Sequence, residues 1–174
     1  MSRHTARRRA LEILFSREFH DVNDIQYSET EILENNEGTP AAAKKTFSEI
    51  DAAELDANAV NVNDIEEVPT DAAEDNGDAD TEAYCAYLIG TVSAHADELD
   101  GLIRAFAKGW DLRQMNMADK TTMRLALCEF VYPKEELAPA IIINEAVRLA
   151  KEYGGPQSSR FVNGILGAYA RSLL

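Results

Sequence analysis

Apolar side chains recur at every third or fourth position through most of this chain. Over residues 3–20, Ala10, Leu11, Leu14, Phe15 and Phe19 share one face when successive residues turn by about 100°, which predicts a helix. The period returns over residues 82–108, where Ala83, Tyr84, Tyr87, Leu88, Val92, His95, Leu99, Leu102, Ile103 and Phe106 predict a second, long helix. Gly109 and the Trp110-Asp111-Leu112 stretch interrupt it. Ala118 or Asp119 opens the next helix, which carries Met123, Leu125, Ala126, Leu127, Phe130 and Val131 and stops at Pro133. Pro139 suits the first turn of a further helix with Ile141, Ile142, Ala146, Leu149 and Ala150 facing inward, and Gly154-Gly155 ends it. Ser158 or Ser159 is placed to cap a last helix, Arg160 to about Leu173. Only the short run Ile141–Ile143 offers anything to a strand. The expected fold is all-α, six or seven helices in two small bundles within one domain spanning 1–174.

Residues 28–80 break the pattern. Ala, Asp, Glu, Asn, Thr and Val dominate there, and Thr70 to Thr81 has almost nothing to bury, so it cannot offset its ordering entropy. The segment reads as a long acidic, disordered insertion between helices, with one short helix around Phe47–Leu55. Its charge changes how the whole chain is read. The chain of 174 residues has a formal net charge of −14. Asp24 to Ala83 carries 18 of the acids and 2 of the bases, which leaves 13 acids against 15 bases elsewhere. A slightly basic helical domain therefore sits behind an acidic average, and an anionic partner is not excluded.

Few other classes survive. Cys85 and Cys128 have no CxxC spacing, and no metal-ligand pattern joins them to His4, His20 or His95. Two lone cysteines read as reduced thiols, which suits a cytoplasmic protein. No apolar run approaches the ~18 residues of a membrane span. No P-loop, GxGxxG, GxSxG or HExxH occurs, so neither an enzyme nor a cofactor is expected.

Two segments carry binding chemistry. Arg3, Arg7, Arg8 and Arg9 crowd a helix start, where free N–H groups and the dipole disfavour cations by up to about 1 kcal/mol each. Arg3, Arg7 and Arg8 prolong the apolar face into a basic tip. Arginine forks onto phosphate and stacks on bases, so the tip suits an anionic partner; the plain alternative is a frayed, solvated terminus. The second segment is Tyr153-Gly154-Gly155-Pro156-Gln157-Ser158-Ser159-Arg160-Phe161. A glycine loop feeding a helix start presents free N–H groups to an anion, and Arg160 and Phe161 are able to stack on an unpaired base. The alternative is a plain helix connection with Phe161 in the core.

Ile143-Asn144-Glu145-Ala146-Val147 followed by Phe161-Val162-Asn163-Gly164-Ile165-Leu166, together with Trp110-Asp111-Leu112, Asp119 to Glu129 and the basic start Arg3 to Phe19, resembles the NusB family of bacterial antitermination factors. The resemblance implies a compact all-helical fold in two halves. It also implies binding of a boxA-type single-stranded RNA together with the ribosomal protein NusE, within the antitermination complex of RNA polymerase on ribosomal RNA operons. On that pattern Arg3, His4, Arg7, Arg8 and Phe15 meet RNA from the first helix, and Gln157, Ser158, Arg160 and Phe161 complete the surface. Asp119 and Glu145 match acidic positions on the NusE-facing side. His4 and Thr5 stand where arginine is common in the family, Gln157 stands where an acid is common, and the acidic insertion is foreign to the pattern. That insertion is expected to compete with RNA for the basic tip. The module also resembles the N-terminal domain of ribosomal RNA cytosine methyltransferases, and no methyltransferase domain is expected after Leu174. A rival of another class is a helical adaptor or homodimer without an RNA role.

Overall fold

The computed structural model describes residues 3–24 and 79–174. Six helices occupy the described residues: α1 Arg3–Asp24, α2 Ala79–Ala94, α3 Ala96–Phe106, α4 Met117–Val131, α5 Pro139–Tyr153 and α6 Ser158–Ser172. Among the described residues there is no strand, and Ile141–Ile143 is helical. The acidic insertion up to residue 78 and the short helix around Phe47–Leu55 lie outside the described residues. The last residues of the stretch Thr70 to Thr81, expected to be disordered, instead open α2 from Ala79.

α4 is the centre of the assembly. Every residue from Ala118 to Glu129 except Lys120 is buried, as befits a helix surrounded on all sides. α1, α2, α3, α5 and α6 all pack on it, α1 also lies along α2, and α5 and α6 form an antiparallel pair. Ala6, Ala10, Leu11 and Leu14 of α1 enter one core with Leu88, Met123, Leu127, Ile143, Val162 and Leu166.

Local chemistry explains the boundaries. Asn116 caps α4, its side-chain oxygen accepting the Ala118 N–H at 2.9 Å, so the helix starts ahead of the expected Ala118 or Asp119. Pro139 stands in the first turn of α5. Gly109 has φ 84°, the left-handed region that glycine enters without steric cost, and it turns the chain out of α3.

The single helix expected over 82–108 is two. His95 departs to φ −120°, ψ 21°, and its ring stacks on Tyr132 at 4.0 Å. Helical hydrogen bonds persist across the bend, from His95 N–H to the Thr91 carbonyl and from Leu99 N–H to the His95 carbonyl. The apolar period therefore survives while the axis turns, carrying α3 onto α6. Ile141, expected to face inward, is 36% exposed; Ile143 takes its place in the core.

Candidate nucleic-acid interface

The basic start of α1 is largely paired with acids of the protein itself. Arg7 is 3% exposed. Its Nε and Nη2 fork onto both Glu129 oxygens at 2.9 and 2.7 Å, and its Nη1 lies 3.5 Å from Glu145. Tyr84 donates its hydroxyl to the same Glu129 carboxylate at 2.5 Å. His4 Nδ1 meets Glu145 at 2.8 Å, and Arg148 bonds the other Glu145 oxygen at 2.9 Å. Arg3 bridges Asp80 and Glu135 at 2.9 and 2.7 Å and lies over the Tyr84 ring, 4.3 Å from its centroid. Arg8 is the well-exposed member, its side chain 47% open, with Glu12 and Glu152 each 3.9 Å away. Phe15 is half-buried.

The cause lies in the helical period. Arg3 and Arg7 prolong the face that holds Ala10, Leu11 and Leu14, and that face is the one α2 and α4 cover, with Glu145 of α5 reaching Arg7. The expected basic tip is therefore a buried ion pair at Arg7, a partly exposed one at Arg3 and an exposed cation at Arg8. The overlooked signal was Glu129. An acid within the apolar run Leu125-Ala126-Leu127-Cys128 requires a buried cation.

Electrostatics within the cluster are mutually consistent. Burial works against the Arg7 charge, but the Glu129 hydrogen bond and the nearby Glu129 and Glu145 charges outweigh it, and its pKa rises. Burial and the Glu129 charge hold the Tyr84 phenol well above its ordinary value. Burial opposes the Glu145 charge as well, yet His4, Arg7 and Arg148 together lower its pKa.

The fold brings the two sequence-predicted segments side by side. Tyr153, at the end of α5, donates its hydroxyl to Glu12 of α1 at 2.5 Å, one turn from Arg8. The loop at 154–157 follows directly. Gly154 is obligatory there, because a Cβ would collide with the Ser158 side chain and reach within 2.6 Å of the Ala150 carbonyl. Ser158 does not cap α6. Its Oγ accepts the Gly155 N–H at 2.8 Å, and it hydrogen-bonds Asp119. Gln157 takes the cap position without a side-chain bond to the helix and is exposed.

Asp119 and Glu145 are both buried, at 6% and 9% exposure. Burial raises the Asp119 carboxyl, partly offset by Ser158, and among the described groups its Oδ1 has no hydrogen-bond partner. Arg160 is half-buried. Phe161 is 4% exposed and packs against Trp110, ring centroids 4.8 Å apart, so it offers no open face to a base. A groove between α1 and α2, about 330 Å³, is lined by Arg9, Glu12, Ile13, Glu82, Cys85, Ala86 and Ile89. Its Ile13 is 41% exposed, and the apolar period of α1 carries no sign of a groove. Among the described residues no group of His, Cys, Asp and Glu is arranged to hold a metal, and no helix is long and apolar enough to cross a membrane.

The NusB family model matches residues 39–171, leaving α1 outside the matched stretch. Similar curated proteins include the transcription antitermination protein NusB of Elusimicrobium minutum, 38% identical over 103 residues, covering 59% of this chain and 73% of that one. The protein of the same name from Roseiflexus castenholzii is 47% identical over 87 residues, covering 49% and 61%. Against this second relative the chain spans about three fifths of the length. Among solved structures, T. maritima NusB superposes with a TM-score of 0.64 at 22% identity, over 98% of this chain and 92% of that one, which speaks to the fold alone. A chain in the crystal structure of a plectonemic RNA supercoil gives a TM-score of 0.52 at 27% identity, over 55% and 69%. With three quarters of the sequence matched by the family model and its all-helical fold shared, the chain belongs to the NusB family.

Proposed function

We propose that this protein is an RNA-binding transcription antitermination factor that binds a boxA-type single-stranded RNA together with NusE, in the cytoplasm, without catalysis. The observation that carries the reading is the juxtaposition of Arg8 on α1 with Tyr153 and the loop before α6. Arg8, Gln157 and Arg160 are the contacts to phosphate and base edges, with Arg3 and Phe15 at the margin. His4, Arg7, Ser158 and Phe161 serve from behind this surface by fixing its backbone. Asp119 and Glu145 act on the partner side in the same indirect way, by holding helix ends in place. Binding rests on a few phosphate contacts plus base contacts, so affinity falls with salt.

Titration of labelled boxA-like RNA into the full chain, with and without NusE and at two salt concentrations, tests this. Salt-sensitive binding that NusE strengthens is expected, and Arg8→Ala should weaken it across RNA sequences. Absence of binding in both conditions refutes the reading. The α1–α2 groove, with Ile13 on its rim, favours a second reading as a helical adaptor or homodimer, which would then lead.

A further inference from the structure

We propose that Trp110 is a stacking platform for an unpaired nucleobase, which extends the RNA track from the α5–α6 loop onto the loop between α3 and α4. The proposal rests on the RNA-binding reading above. Recognition of unpaired bases depends on an accessible ring. Phe161, the aromatic that opens α6, is too buried to supply one. Trp110 lies directly on it and is only half-buried, so the ring surface presented at the start of α6 belongs to Trp110.

The loop that carries it is built rather than loose. Gly109 makes the turn, and the Trp110 N–H donates to the Ala107 carbonyl at 3.1 Å. Gln114 N–H bonds the Asp111 carbonyl at 3.0 Å, while Leu112 and Met115 are each 7% exposed and anchor the loop in the core. Such a ring is held in place before a base arrives, which lowers the ordering cost of binding. The surroundings suit a polyanion: Lys108 and Arg113 flank the ring in the chain and are exposed, Arg113 with 90% of its side chain open while it pairs with Asp111.

The chain has one tryptophan, so its intrinsic emission reports this position alone. Labelled boxA-like RNA is titrated into the full chain while label anisotropy follows binding and tryptophan emission follows stacking. Emission should be quenched in step with anisotropy. An oligonucleotide of equal length with abasic sites should bind through its phosphates and leave emission unchanged. Trp110→Phe should keep most of the affinity, and Trp110→Ala should lose about ten-fold. Because Trp110 packs on Phe161, both variants are checked by thermal melts, and the abasic comparison needs no variant. Saturated anisotropy with unchanged emission, or equal quenching by the abasic strand, overturns the role of Trp110 and leaves the RNA reading intact. No anisotropy change removes the RNA reading and this inference with it.

Discussion

Replacing Arg7 with methionine should unfold this protein more readily before it changes any RNA contact. Methionine keeps much of the stem's volume and deletes the charge, which leaves the Glu129 carboxyl buried without its cation. The side chains of Arg7 and Glu129 are 4% and 3% exposed, so water does little to screen the pair or to rescue the survivor. Loss of one partner from a buried, forked pair costs about 3–5 kcal/mol. Tyr84 still donates to Glu129, which puts the expected cost near the lower end, about 3 kcal/mol. For a chain of this size that corresponds to a fall in Tm of roughly 6–12 °C. Thermal and urea melts followed by far-ultraviolet circular dichroism measure it.

The paired replacement Arg7→Met with Glu129→Leu should recover most of the loss, because neither charge is then stranded. The reasoning fails if Arg7→Met melts like the parent. If that variant also lost RNA affinity, Arg7 would be a phosphate ligand and the buried pair would be energetically idle.

The glycine loop offers two further tests. Burial holds the Asp119 carboxyl above its ordinary value, so its contribution to stability is full below the unfolded value and is lost as pH rises through the folded one. Asp119→Asn retains an acceptor for Ser158 and escapes that loss, so its urea midpoint should gain on the parent as pH rises from about 4; a pH-independent difference contradicts the assignment. Gly154→Ala should destabilise by about 1–3 kcal/mol, and adding Ser158→Gly should restore only part of it, because the Ala150 carbonyl still blocks the new methyl; full restoration in melts would place the strain in Ser158 alone.

What could be read from the sequence divides along a physical line. The helices, their Pro and Gly boundaries and the all-α class follow from apolar periodicity, which each segment carries in itself. Three things depended on which segment covers which. Arg3 and Arg7 looked like a surface tip because the acids that neutralise them, Asp80, Glu135, Glu129 and Glu145, lie between 77 and 138 residues away in the chain. The bend at His95 left no trace in the period because the helical hydrogen bonds continue through it. Phe161 read as a stacking residue because its partner Trp110 is 51 positions away and contributes nothing to the local pattern of α6. One rule connects these cases. A charge or aromatic ring on the apolar face of a helix is first a demand on the interior, and its counterpart should be sought among the odd residues of the other helices. Glu129 within the apolar run of α4 met that description for Arg7. The contacts proposed for RNA are then residues the core leaves open, Arg8 and Gln157, together with the partly covered Trp110.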